Sequence, residues 1–204
     1  MIAKEFFYCI ALRSSLHSLR NHYQFYIAQL KTISDIHFMK TLIVVRHAKS
    51  SWSDSDKDDH DRPLNSRGKK DAPEMAKRLR KRDIEVDLFV SSTALRARIT
   101  AQYFADEYDI SKKDIVLEKK LYLAPEEAYY EVLSGLPDKH NVVAIFGHNP
   151  GITAFANTLS QVHVDDMPTC AVYAVAADTD KWASFEKADK DFLFFDYPKN
   201  PLDS

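Results

Sequence analysis

Glycine, cysteine and net charge are all scarce in this chain, and each scarcity narrows what the protein can be. Only four glycines occur among 204 residues, so each marks a backbone position worth reading. The two cysteines, Cys9 and Cys170, lie far apart and share no motif. A disulfide framework has nothing to build on, and a reduced, cytoplasmic chain is expected. The formal net charge is -2, which gives no broad attraction to nucleic acid or to an anionic membrane surface. No apolar run approaches the ~20 residues that span a bilayer. What is present is a 45% hydrophobic, 28% charged composition, that of a soluble globular domain long enough to bury a real core.

The first 38 residues differ from the rest. FFYCIAL is apolar but sits at the short limit of a secretory signal core of ~7–15 residues, and no small-x-small cleavage site follows it. The next stretch has loose helical spacing at Leu16, Leu19, Tyr23, Tyr26 and Leu30. Met39-Lys40 then opens directly into a strand-like run. Residues 1–38 are therefore expected to be an N-terminal extension outside the core, with 39–204 as the folded domain. A docked helix and a targeting segment are the alternatives for the extension.

Strands are expected at Leu42–Val45, Val86–Val90, Ile115–Leu117, Val142–Phe146, Ala171–Ala176 and Phe192–Asp196. Several are continuous apolar runs, as in strands covered on both faces. Helical spacing falls between them, at Met75/Ala76/Leu79, Leu95/Ile99/Tyr103/Phe104, Ala128/Val132/Leu133 and Ile152/Phe155/Ala156/Leu159. Pro73 leaves the start of the first helix open. The basic run Lys69–Arg82 is interspersed with acids and reads as a solvated helix face, not a nucleic-acid surface. Strands alternating with helices predict an α/β fold, a three-layer α/β/α sandwich with a mostly parallel central sheet. The last two strands, close in sequence, are expected to bring an antiparallel pairing.

Open α/β sheets place their chemistry at the carboxyl ends of their strands. KTLIVVRHAKS at 40–50 puts Arg46 and His47 at such an end. VVAIFGHNPG at 142–151 puts His148 at another, flanked by Gly147 and Gly151, where glycine permits close backbone approach to a ligand or an unusual φ. SSTALRARITA at 91–101 puts Arg96 at a helix start, which already favours anions. Guanidinium forks match phosphoryl oxygens bidentately. A neutral imidazole attacks phosphorus through one nitrogen while the other donates to a fixed acceptor, such as a loop carbonyl. His148, if protonated, would add a donor and positive charge. The set is what a phosphoryl-transfer pocket built on a histidine nucleophile needs.

These segments are similar to the histidine phosphatase superfamily, also called phosphoglycerate mutase-like. DRPLNSRG at 61–68 and MPTCAVYAV at 167–175 resemble its SixA-type phosphohistidine phosphatase branch. The resemblance covers residues 39–198 and implies the phosphoglycerate mutase-like sandwich without a cap domain. It implies His47 as the residue that becomes phosphorylated, with Arg46, Arg96 and His148 as the phosphate pocket, Arg62 beside them, and no metal or organic cofactor. Two departures stand out. The usual RHG triplet is RHA, with Ala48 for glycine. The acidic donor near an L-x-E motif is missing, since residues 121–124 read LYLA. Glu126, Glu127 and Asp61 are the candidate substitutes, with Asp54 and Asp59 in the same loop as Asp61.

An alkoxide leaving group needs a proton, whereas imidazole, whose conjugate acid has a pKa near ~6.5, leaves far more easily. The leading expectation is therefore a phosphatase acting on phosphohistidine of a partner protein, as a monomer. A small-molecule phosphatase or mutase acting on a small phosphorylated substrate is the alternative within the class. A non-catalytic phosphoprotein-binding module is the alternative outside it. The metal-free expectation predicts that release of inorganic phosphate persists undiminished in excess chelator; loss of turnover on chelation, restored by a divalent ion, would overturn it.

Overall fold

The computed structural model describes residues 39–51 and 58–200. The expected extension, 1–38, and the candidate donor Asp54 lie outside the described residues. Six strands and four α-helices follow one another: β1 (Lys40–Arg46), α1 (Ser66–Arg80), β2 (Leu88–Ser92), α2 (Leu95–Glu107), β3 (Val116–Glu118), α3 (Glu126–Ser134), β4 (Val142–Gly147), α4 (Gly151–Leu159), β5 (Val172–Ala177) and β6 (Lys190–Asp196). They form one sheet in the order β3-β2-β4-β1-β5-β6. The pairs β1/β4, β2/β4 and β2/β3 are parallel. The expected antiparallel pairing of the last two strands is present, and β5 also runs antiparallel to β1.

The alternation of side chains along β1 divides the core into two layers. Leu42 and Val44 face α3 and α4, meeting Tyr129, Leu133, Ile152 and Phe155. Ile43 and Val45 face the other way, onto α1 and α2, meeting Met75, Leu79, Ala101 and Phe104. All four β1 side chains are fully buried, each contributing about 1.5–3 kcal/mol by burial. This double coverage explains why the run is apolar without alternating.

Helix α1 runs straight through Pro73. The side chain of Asn65 accepts from the backbone N–H of Gly68 at 2.9 Å, capping the first turn. Proline removes one backbone donor in the interior, but Ala72, Met75, Ala76 and Leu79 bury a continuous face against the sheet. The far end of the sheet is tied down by Lys40, whose Nζ donates to Asn141 Oδ1 at 2.8 Å and to the His140 carbonyl at 3.1 Å. Among the described residues, no helix is long and apolar enough to cross a membrane.

The glycines around His148 serve a different purpose from the expected one. Neither has a positive φ. A Cβ on Gly147 would stand 2.1 Å from the Tyr129 hydroxyl, and one on Gly151 would stand 1.7 Å from the Ala124 carbonyl oxygen. Their small size lets α3 and the chain before it press against the β4–α4 turn, so the demand comes from packing within the fold and not from a ligand. Gly151→Ala is expected to cost about 1–3 kcal/mol in urea denaturation. Gly135→Ala, whose Cβ would meet nothing closer than 3.6 Å, should leave stability nearly unchanged.

Candidate active site

Parallel pairing in register sets the geometry of the site. Arg46 at the end of β1 pairs with Gly147 at the end of β4, and the His47 N–H donates to the Gly147 carbonyl at 3.1 Å. The next residues out, His47 and His148, are thereby forced side by side, with ring centroids 5.0 Å apart. On the other side of β4, β2 ends at Ser92, and Arg96 enters from the first turn of α2. A cavity of about 220 Å³ at this rim is lined by Arg46, His47, Arg62, Arg96 and His148, together with Asp59, Asn149 and neighbouring loop residues. Four distant stretches of sequence thus meet at one place.

His47 is 9% exposed, and its Nδ1 lies 2.8 Å from the Ala48 carbonyl oxygen. A carbonyl only accepts, so Nδ1 carries the proton and Nε2 keeps its lone pair. Burial above all, with Arg96, Arg46 and Arg62 adding to it, lowers the His47 pKa to about 3 against the opposing pull of the Ala48 carbonyl. Ala48 itself has no positive φ, so alanine fills the usual glycine place without backbone strain.

His148 is buried, and its Nε2 lies 2.8 Å from Ser92 Oγ. The Ser92 hydroxyl accepts from the Ala94 N–H at 3.3 Å, and we assign its own proton to Nε2. Nδ1 of His148 is then the N–H, and it has no partner among the described residues. Burial, then His47 and Arg96, push the His148 pKa down to about 2. The positive charge that His148 would add if protonated is therefore absent in the free protein. Two buried imidazoles beside three guanidiniums are more stable uncharged.

The cations are arranged by carboxylates and carbonyls. Arg46 Nη1 donates to the Met167 carbonyl and, at 3.3 Å, to Asp166. Arg62 donates from Nε to the Ser51 carbonyl, from Nη2 to Ser50 Oγ and from Nη1 to Asp59 Oδ1 at 2.6 Å. Arg96 Nη2 donates to Asp59 Oδ2 at 2.9 Å. Among the described residues, Asp59 is the one acidic residue lining the cavity. Burial would raise its pKa, but hydrogen bonds from Tyr122, Arg62 and Arg96 outweigh that and hold it at about 2.

The other acidic candidates stand elsewhere. Asp61 is exposed and pairs with His60 at 3.1 Å. Glu126 and Glu127 line a neighbouring depression with Pro125, Pro150 and Ala154. Both sit in the first turn of α3, where a carboxylate offsets the positive helix end, and neither lines the cavity that holds the histidines.

Several supporting residues were not anticipated. Thr100 Oγ1 accepts from the Ala48 N–H at 2.9 Å, pinning the loop after His47 to α2. Cys170 adopts φ 65°, and its N–H reaches the carbonyls of Arg46 and His47 at 3.1 and 3.2 Å. Tyr122 packs edge-on against His148 with centroids 5.7 Å apart. Nothing in spacing or composition marks these three, because each acts through a fold-level contact with a residue far away in sequence.

A family profile described as the histidine phosphatase superfamily (branch 1) matches residues 42–122. An uncharacterized chloroplastic protein of Arabidopsis thaliana is 28% identical over 174 residues, covering 76% of this chain and 77% of that one. Among solved structures, a protein assigned as the phosphohistidine phosphatase SixA of Agrobacterium tumefaciens is 26% identical, with a TM-score of 0.64 over 78% of this chain and 98% of its own. The protein histidine phosphatase SixA complexed with tungstate superposes with a TM-score of 0.66 at 19% identity, covering 78% of this chain and 97% of that one. The chain is thus similar to the histidine phosphatase superfamily, and within it to the SixA-type branch.

The two neutral imidazoles carry a pH consequence. Their folded pKa values, about 3 and about 2, lie below the ordinary 6.5. The unfolded chain therefore binds more protons below pH 6.5, and stability falls as pH drops from there. Ring NMR signals of His47 and His148 are expected to show no protonation between pH 8 and pH 5; titration of either near 6.5 would contradict the burial argument.

Proposed function

We propose that this protein is a phosphatase that works through a phosphohistidine intermediate on His47, and that its substrate is phosphohistidine on another protein. The active unit in this reading is residues 39–204. Nε2 of His47 attacks the phosphorus of a phosphohistidine whose other ring nitrogen carries a proton; a P–N bond forms as the bond to the leaving nitrogen breaks, and its electron pair departs with a neutral imidazole. The positive charge that develops on His47 is relieved by the hydrogen bond from Nδ1 to the Ala48 carbonyl. Arg46, Arg62, Arg96 and the Nδ1–H of His148 meet the charge on the transferring phosphoryl oxygens. Water then attacks the phosphoenzyme, returning Nε2 its lone pair and releasing inorganic phosphate.

The observation that carries the substrate class is the state of Asp59. Among the described residues it is the one acidic group lining the cavity, and it is held ionised with a pKa of about 2. Such a carboxylate does not deliver a proton at neutral pH. The Tyr122 phenol is no better, since burial and then its bond to Asp59 raise its pKa above the ordinary value. With no competent acid among the described lining residues, the pocket favours imidazole, which departs without strong acid assistance, over alkoxide leaving groups. A cavity of about 220 Å³ at an open rim also suits a phosphorylated side chain presented by a partner.

His47→Ala is expected to abolish acid-labile labelling and to lower phosphate release by at least ~10³-fold; full turnover in that variant would eliminate the mechanism. On the intact protein, kcat/KM for a phosphohistidine peptide should exceed that for 3-phosphoglycerate. The opposite ranking would move the assignment to a small-molecule phosphatase. Tight phosphate-dependent binding without release of inorganic phosphate would make it a binding module.

A further inference from the structure

What occupies the phosphate cradle before a substrate arrives has a specific answer in the geometry of Asp59. Its Oδ1 accepts from Arg62 Nη1 at 2.6 Å. Its Oδ2 accepts from Arg96 Nη2 at 2.9 Å and from the Tyr122 hydroxyl at 2.9 Å. Its main-chain carbonyl accepts from the other terminal nitrogen of Arg96. This carboxylate lines the same cavity as both histidines, and its side chain is 41% exposed. One anion with two oxygens thus satisfies a fork built from two guanidiniums and a phenol.

Resting on the function proposed above, we infer that Asp59 is a stand-in anion: its carboxylate oxygens occupy the places of two phosphoryl oxygens, and a bound phosphoryl group displaces it from Arg62, Arg96 and Tyr122. Carboxylate and phosphoryl oxygens present the same bidentate face to a guanidinium. A phosphoryl dianion brings more charge and a third oxygen, so it outcompetes a carboxylate that is partly screened by water. Asp59 sits in a single 3₁₀ turn, Asp59–Asp61, with no buried residue, so its release disturbs no core contact. Once released, Asp59 leaves the Tyr122 hydroxyl as a neutral donor facing the phosphoryl group.

The stand-in taxes every anion that enters. Apparent affinity for a ligand falls by the fraction of molecules in which the cradle is open. Inorganic phosphate, the product, gains nothing from contacts outside the cradle and bears this tax in full, so it departs readily. A phosphorylated side chain on a partner protein offsets it with contacts beyond the pocket.

The test is calorimetric titration of the full chain with inorganic phosphate, comparing the natural protein with Asp59→Asn and Asp59→Ala. Each variant is expected to bind phosphate about tenfold more tightly, with product inhibition stronger by the same factor. Weaker or unchanged binding in a folded variant would overturn the inference and make Asp59 a group that positions the arginines. If either variant melts early, millimolar phosphate should restore its thermal stability, because phosphate then fills the vacated place; failure of that rescue would equally overturn it. No phosphate binding by any of the three proteins would sink the pocket assignment itself, whereas binding without tightening sinks only the stand-in.

Discussion

The site depends on one constraint, the flush parallel pairing of β1 with β4. Because Arg46 and Gly147 stand at the same level, the first residue beyond each strand is an imidazole, and the two rings are neighbours without any further device. A slip of one residue would send Val44 and Val45 each into the core layer on the other face, where the side chains already packed there leave no matching space. Register is therefore enforced by burial along the whole length of β1, where Leu42 to Val45 have no exposed surface. The core that stabilises the domain and the alignment that assembles the candidate chemistry are the same set of contacts.

Burial also sets the protonation of the pocket. A histidine placed in water beside a phosphate would be partly charged near neutrality and a poor nucleophile. Here desolvation and the surrounding guanidiniums act in the same direction, and both rings stay neutral. The Ala48 carbonyl works against that trend and fixes which nitrogen holds the proton. The pair of effects yields a neutral imidazole with a defined tautomer, the form the proposed attack requires.

The layered α/β sandwich was legible because its strands are continuous apolar runs separated by helical spacing, and strand ends are where such sheets carry their polar residues. Arg46, His47, Arg96 and His148 were legible for the same reason: each sits at a junction between an apolar run and a loop or helix. Boundaries moved by up to two residues, as with β2, which starts at Leu88 and ends at Ser92, because hydrogen bonding continues past the last apolar side chain. Helix α1 was only half legible, since the weight of Pro73 obscured the cap at Asn65. The glycines beside His148 were noticed for the wrong reason, because the Tyr129 hydroxyl and Ala124 carbonyl that require them belong to a segment two dozen residues upstream. The contacts of Thr100 and Cys170 were invisible, because each binds the backbone of the β1 exit from far away in sequence.

The substrate class proposed for this pocket follows from its charge balance. Three arginines at one rim repel one another and are costly to hold together without counter-ions. Arg46 finds Asp166 and the Met167 carbonyl, while Arg62 and Arg96 share Asp59. The carboxylate that makes the empty cradle stable is, through those same contacts, too strong an acid's conjugate base to hold a proton for a leaving group. A site that solves its resting-state electrostatics in this way forgoes acid catalysis at the same position. In the proposed reading it favours substrates whose leaving group departs with little acid help, and among biological phosphoryl donors an imidazole nitrogen meets that condition better than an alcohol oxygen.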